Sequence, residues 1–183
     1  MAASFRSYLA DLKQADELTE ITKPTDPRDI AALVAQTDKA LIFKSVRGYS
    51  MPVVSGLLQS RNRLAVGMGV AYEKIEGKLR SAMDLPIKPR RVKHAPVKEV
   101  ILTKNRVNLF DLPVPIFSVM DGGPMITAGV VIAEDPEHGI NAGMYRMMLK
   151  ERNLTGIDIV TPNNLRRFAE RAMEKKKPLP ISI

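Results

Sequence analysis

Apolar residues spaced by three and four open the chain: Phe5, Tyr8, Leu9 and Leu12 share one helical face, and Ser4 stands before them as an N-cap. Asp26-Pro27 and then Asp29 predict a second helix, with a capping acid, a proline in the first turn and a buried stripe of Ile30, Leu33 and Val34. Ala40-Leu41-Ile42-Phe43 is an uninterrupted apolar run and reads as a strand, as does Met51 to Leu58 around Gly56. Arg61 to Met83 is helical in pattern, carried by Leu64, Val66, Met68, Tyr72, Ile75 and Leu79. Helix, helix, strand, strand, helix predicts an α/β unit over residues 1–85.

Pro86, Pro89 and Pro96 then punctuate residues 86–104, a basic connector before a second unit at 105–183. Val97 to Leu102 alternates, while Asp111 to Ile116 holds two prolines and is expected to be irregular or an edge. Asp121-Gly122-Gly123-Pro124 and Asp135 to Gly139 are turn signals. They delimit a strand from Ile126 to Ala133 and precede another from Ile140 to Leu149. Asn153 breaks that run, and Ile157 to Val160 reads as a further short strand. Antiparallel strands at this spacing predict a small barrel or sandwich. Thr161-Pro162 caps a helix with Leu165, Phe168, Ala169, Ala172 and Met173 on one face, and Leu179 to Ile183 reads as a strand start with no partner left in the chain. The predicted class is α+β.

Composition removes several chemistries. The 183 residues include no cysteine, which excludes disulfides, thiolate catalysis and cysteine-based metal sites. The two histidines, His94 and His138, lie too far apart in sequence to suggest a multi-histidine centre. Met1 to Leu18 has no apolar core like that of a secretory signal, and no apolar run approaches the ~18 residues that span a bilayer, so a cytoplasmic protein is expected. Net charge is +8, from 28 basic and 20 acidic residues. Much of it sits on Lys88, Arg90, Arg91, Lys93, Lys98 and Lys104, and a second cluster, Lys175 to Lys177, closes the last helix. Proteins that read bases by stacking interleave aromatics with such residues, and none occurs between Tyr72 and Phe110, so a nucleic-acid partner is not expected.

Two segments carry candidate chemistry. In Asn141-Ala142-Gly143-Met144-Tyr145-Arg146, strand alternation puts Asn141, Gly143 and Tyr145 on one side and Ala142, Met144 and Arg146 on the other. Gly143 either lets a ligand approach the backbone or marks a bulge. Arg146, mid-strand among apolar neighbours, requires an anion: a side-chain carboxylate, a substrate carboxylate or a phosphate. Asn141 offers a hard neutral oxygen suited to a divalent cation or potassium. The plainer alternative is a strand with a surface arginine and a turn asparagine. Thr161-Pro162-Asn163-Asn164 is either an anion-binding helix start or ordinary capping.

Asp121 to Gly129, Asp135-Pro136-Glu137-His138-Gly139 and Asn141 through Arg146, with Phe5-Arg6-Ser7-Tyr8-Leu9, resemble the UbiD-family decarboxylases over essentially the whole chain. Members of that family are considerably longer. The resemblance implies an N-terminal α/β domain followed by the first half of a split β-barrel with a flanking helix, binding prenylated FMN. It implies reversible, non-oxidative decarboxylation of an aromatic or α,β-unsaturated carboxylic acid by an enzyme of which this chain is an N-terminal fragment or one subunit. By the same resemblance Asn141 holds a divalent metal, Mn2+ or Mg2+, on the cofactor phosphate, with K+ a further cation. Gly143 is cofactor-binding, Met144, Tyr145 and Arg146 match the strand along the isoalloxazine, and Arg146 also pairs with catalytic glutamates and orients the substrate carboxylate. Asn163 and Asn164 fall where many members carry a glutamine–histidine pair; Asn164 departs from that pattern and is the weaker metal candidate. The family's metal-binding and acid/base glutamates have no counterpart before Ile183, which implies a C-terminal polypeptide as partner; the resemblance further implies a homo-oligomer. The rival reading is a non-catalytic flavin-binding or assembly subunit. The catalytic reading expects Arg146 and Asn141 to converge on one pocket.

Overall fold

Ser4 caps the first helix as its position predicts. Its Oγ accepts from the Ser7 amide at 3.1 Å while Ser7 Oγ accepts from the Ser4 amide at 2.9 Å, so two otherwise orphaned donors are satisfied together. The computed structural model describes residues 4–90 and 92–183; Met1 to Ala3 and Arg91 of the basic stretch lie outside the described residues. The chain divides into one unit ending at Arg106 and a second running from Val107 to Ile183.

In the first unit, α1 (Phe5–Gln14) is followed by β1 (Leu18–Ile21), α2 (Ile30–Val34), β2 (Ala40–Phe43) and β3 (Val53–Ser55). β2 lies between a parallel β1 and an antiparallel β3. All four β2 residues are buried, because alternate side chains feed two cores. Ala40 and Ile42 pack with Leu12 and Leu18 on one face, and Leu41 and Phe43 with Ile30, Val34 and Val46 on the other. β1 escapes the apolar pattern because Thr19 and Glu20 are exposed. Asp26 caps a turn rather than the helix: its Oδ1 accepts from the Arg28 amide, and α2 starts only at Ile30.

The helix expected over 61–83 is two helices. α3 (Arg61–Met68) ends at Gly69, whose left-handed φ of 62° suits glycine, and α4 (Ile75–Asp84) follows a single 3-10 turn. Arg63 on α3 is buried; its Nη1 pairs with Glu17 Oε2 at 2.9 Å and donates to the Asp38 carbonyl at 2.6 Å. Val97 to Leu102 forms no strand; it starts in a 3-10 turn at Pro96–Lys98 and its apolar side chains are exposed.

In the second unit every pairing is antiparallel. β4 (Met125–Ile126), β7 (Met147–Glu151) and β8 (Leu154–Ile157) form one sheet, in the order β4-β7-β8. β5 (Val130–Asp135), β6 (Gly139–Met144) and β9 (Ile181–Ser182) form the other, in the order β6-β5-β9. Each long strand expected from the sequence is thus cut in two, as the chain leaves one sheet and enters the other at 127–129 and at 145–146. The two breaks meet: the Tyr145 amide donates to the Gly129 carbonyl at 3.4 Å. A Cβ on Gly129 would stand 2.7 Å from the Met147 methyl, so this corner takes a glycine. Strands that change sheets at corners turn a small barrel; here both sheets keep free edges and the barrel is not closed. β8 lies at 154–157 rather than 157–160, because the β7–β8 turn is short, Arg152 and Asn153 only. The terminal strand is not unpartnered: Ile181 pairs with Ala133 and Ser182 with Ile132.

α5 (Asn164–Glu174) lays Leu165 and Phe168 onto Val131, Ala133 and Met147. Among the described residues no helix is long and apolar enough to cross a membrane.

Candidate functional site

The face of β6 that carries Asn141 and Gly143 is half-buried, while Ile140, Ala142 and Met144 are exposed on the other. α5 starts against that half-buried face. Asn163, not Thr161, is its N-cap, and Asn163 Oδ1 accepts from the Arg166 amide at 3.0 Å. The same oxygen accepts from the Tyr145 hydroxyl at 3.3 Å, and Asn163 Nδ2 donates to the Thr161 carbonyl at 2.8 Å. Asn164 Nδ2 donates to Asn141 Oδ1 at 3.1 Å, across 23 residues of sequence. Asn141, Gly143, Tyr145, Asn163 and Asn164 are therefore one cluster.

Gly143 has a different role from either one its sequence suggests. A Cβ there would lie 2.8 Å from the Tyr145 ring, and β6 keeps its register opposite Val131 without a bulge. The glycine makes room for the tyrosine, and the tyrosine reaches the helix cap. The bulge of this unit lies instead in β7, between Leu149 and Glu151.

Arg146 and Met144 are not in the cluster. Arg146 sits at the sheet-to-sheet corner, not mid-strand, and its guanidinium is exposed. The anion it requires is Asp158: Nη2 lies 2.5 Å from Asp158 Oδ2, and the Asp158 amide donates to the Arg146 carbonyl at 3.0 Å. This pair lines a concavity of about 280 Å³ with Met125, Met148, Lys150, Gly156 and Ile157. Asn163 and Asn164 line a separate one of about 460 Å³ with Pro162, Arg166, Arg167 and Glu170. The expected convergence of Arg146 and Asn141 on one pocket is not observed, because the corner at 145–146 turns the arginine toward the other sheet.

A third group seats α5. Asp135, buried at the end of β5, accepts from the amides of Glu137 and His138 at 2.9 and 3.0 Å and from Arg171 Nε at 3.1 Å. Arg171 also pairs with Glu137 and lies 3.4 Å from His138 Nε2, whose ring stacks on Phe168. Burial alone would raise the Asp135 pKa; the two amides and Arg171 outweigh it and hold the carboxyl below its usual range. The Arg171 hydrogen bond likewise holds Glu137 low. Neither Asp158 nor the Asp135–Arg171 pair is anticipated from the sequence. The available signal for the second was spacing: Asn164 and Arg171 are two helical turns apart on one face.

The donor set tests what this site can hold. Among the described residues no cluster of three histidine, aspartate or glutamate side chains could bind a metal. The cluster offers neutral amide oxygens, and Asn141 Oδ1 keeps a free lone pair beside its bond from Asn164. Such oxygens fit part of the shell of a hard cation. The start of α5 adds free backbone N–H groups and Arg167, which fit a phosphate.

Known proteins place the chain. A family model described as the 3-octaprenyl-4-hydroxybenzoate carboxy-lyase Rift-related domain matches residues 90–183, and that of the carboxy-lyase N-terminal domain matches residues 9–83. Anhydromevalonate phosphate decarboxylase of Methanosarcina mazei is 33% identical over 181 residues, 98% of this chain and 42% of its own. Phenolic acid decarboxylase of Sedimentibacter hydroxybenzoicus is 29% identical, over 97% of this chain and 41% of its own. The chain thus spans about two fifths of the length of these relatives. An evolved dimeric form of the UbiD-class enzyme HmfF from Pelotomaculum thermopropionicum, in complex with prFMN, superposes with a TM-score of 0.91 at 37% identity, covering 97% of this chain and 43% of that one. With both family models matched in order along it, the chain belongs to the UbiD family.

Proposed function

We propose that this chain is the N-terminal portion, or one subunit, of a reversible non-oxidative decarboxylase that uses prenylated FMN on an aromatic or α,β-unsaturated carboxylic acid. The observation that carries the reading is the Asn141–Asn164 amide pair at the start of α5, made by the Asn-x-Gly-x-Tyr-Arg segment in a fold shared with a prFMN complex. Bound there, prenylated FMN supplies the electron sink for loss of carbon dioxide, which side chains cannot.

The chain's own residues bind and orient. Asn141 Oδ1 would hold a divalent cation, Mn2+ or Mg2+, whose charge would offset that of the cofactor phosphate, and Asn164 holds that oxygen in place. The α5 amides and Arg167 receive the phosphate. Tyr145 fixes the Asn163 cap and with Gly143 and Met144 forms the wall along the flavin ring. Arg146 holds the substrate carboxylate, exchanging Asp158 for it. The proton donor comes from polypeptide outside these 183 residues. In this reading residues 1–85 form the N-terminal domain, 86–104 the connector and 105–183 half of the flavin-binding barrel.

The test is carbon dioxide release, with the absorbance spectrum and intact mass of the native assembly containing this chain. The expected result is a flavin spectrum, added polypeptide mass and turnover whose kcat/KM falls roughly 10- to 150-fold with Arg146→Ala and that is absent from the isolated chain. Turnover unchanged by Arg146→Ala would favour a non-catalytic, flavin-binding subunit instead. Carbon dioxide release by the isolated chain would refute the placement of the proton donor.

A further inference from the structure

Two side-chain links fasten α5 to the β5–β6 hairpin, and only one of them touches the ligand cluster. At the start of the helix Asn164 holds Asn141. Seven residues later, roughly 10 Å along the axis, Arg171 holds Asp135 and Glu137. Asp135 ends β5 and Glu137 lies in the turn that follows it, six and four residues ahead of Asn141. The far link is the more heavily built. Asp135 is buried and takes three donors, two from its own turn and one from the helix, and the His138 ring lies flat on Phe168 of the same helix, 6.2 Å between centroids. The near link is made of neutral hydrogen bonds only, Asn164 to Asn141 at 3.1 Å and the Tyr145 hydroxyl to the Asn163 cap at 3.3 Å.

Leu165 and Phe168 seat the helix on the sheet, but two neutral hydrogen bonds fix the lateral position of its start only loosely, since each weakens steeply once the partners move by a few tenths of an ångström. The charged far link adds the second fixed point that sets the tilt. Rocking α5 by about 6° over a 10 Å lever shifts its first residue by roughly 1 Å, enough to break the Asn141–Asn164 bond and misplace the oxygen it orients.

Resting on the proposed function, we propose that Asp135 and Arg171 are positioning residues for the phosphate end of the flavin. They set the tilt of α5 and, through it, the distance between Asn141 and Asn164, without touching the ligand themselves. The pair therefore acts first on recognition of the phosphate and its cation; the ring wall is coupled to α5 only through the Tyr145–Asn163 bond of 3.3 Å and is disturbed less.

Phosphate dependence separates this role from general support of the fold. The native assembly is titrated with FMN and with riboflavin, which lacks the phosphate, following flavin fluorescence with and without Mn2+. Wild type is expected to prefer FMN, and to gain further preference with Mn2+. Asp135→Asn, which keeps an acceptor for the two turn amides but loses the ion pair, is expected to weaken FMN binding about tenfold in Mn2+ and riboflavin binding less than twofold. Arg171→Lys, which keeps the charge but not the fork, should lose an intermediate amount. Asn164→Ala should show the same phosphate-selective loss, and Asp135→Asn combined with Asn164→Ala should lose no more than Asn164→Ala alone, since both act on one link. Equal weakening of FMN and riboflavin, or additive losses in the double variant, would overturn the positioning role. A wild type that binds riboflavin as tightly as FMN would remove the proposed phosphate site itself, and this inference with it.

Discussion

Replacing Asp158 with asparagine tests whether Arg146 is free to take a substrate carboxylate. The side chains of Arg146 and Asp158 are 65% and 36% exposed, so the pair is a solvent-screened one despite its short separation. Such pairs contribute about 0.2–1 kcal/mol. A substrate acid that displaces Asp158 therefore gives up at most a factor of about five in affinity, with 1.4 kcal/mol per tenfold. Its own charge-assisted bond to the guanidinium returns about 1.5–3 kcal/mol. Displacement wins. Asp158→Asn should then lower KM for the acid by up to about fivefold and leave kcat within about twofold, because the Asp158 amide still donates to the Arg146 carbonyl and keeps the corner folded. Arg146→Ala should lower kcat/KM by roughly 10- to 150-fold, the rate equivalent of the bond it removes. The assay is initial-rate carbon dioxide release by the native assembly over a range of acid concentrations. A tenfold or larger fall in kcat/KM for Asp158→Asn would refute the argument, since Asp158 would then be needed at the reacting centre rather than displaced from it.

The buried Arg63 makes a sharper stability test than any surface charge. Glu17→Ala strands its guanidinium with only the Asp38 carbonyl, and should cost about 3 kcal/mol in urea unfolding, whereas Glu17→Ala with Arg63→Met should cost less than half of that; a double variant as unstable as the single would contradict the account. Gly129→Ala should destabilise by about 1–3 kcal/mol through collision with the buried Met147 methyl, with partial rescue by Met147→Val; an unchanged urea midpoint would show that the corner has room. Asp135 is held below its usual range, so its contribution is fully present above the unfolded value of about 3.9 and is lost as pH falls through the lower folded value. Thermal unfolding of Asp135→Asn should accordingly vary less with pH than wild type below about pH 4, and parallel curves would count against the network.

Local signals identify what local forces build. The Ser4 cap, the four-residue apolar run of β2 and the amphipathic face of α5 are each decided within a few residues, and each is found where the sequence puts it. β1 is invisible because Thr19 and Glu20, adjacent and exposed, break any alternation between Leu18 and Ile21, and it is a strand only because β2 lies alongside. The cuts in the two long strands are tertiary events: no residue at 127–129 or 145–146 forbids extension, and the breaks exist because the chain there moves between sheets. Leu179 to Ile183 reads as unpartnered for a related reason, since its partner β5 lies some fifty residues back and the sheet order cannot be seen from alternation. In the site, the sequence singles out Asn141 and Asn164, which the fold brings together, but the room that Gly143 makes for Tyr145 and the partners of Arg146 and Asp135 depend on contacts with no marked pattern.

In the proposed decarboxylase, the corner at 145–146 lets one short segment serve two ends of the ligand. Alternation along β6 places Asn141, Gly143 and Tyr145 toward α5, and continuing it would leave Arg146 on the opposite face of the same sheet. The chain instead passes to the second sheet, where Asp158 takes the guanidinium. Five residues of extended backbone separate Asn141 from Arg146 by at most ~17 Å. Separate concavities for the two groups are what an elongated cofactor requires, with its phosphate and cation at one end and its reacting ring, beside the substrate acid, at the other. A single pocket holding both would bring a phosphate and a substrate carboxylate together, and their mutual repulsion in a poorly solvated site would oppose binding of either. In the proposed decarboxylase, the split that removes the expected convergence leaves Asn141 with the cation at the phosphate end and Arg146 available to the acid.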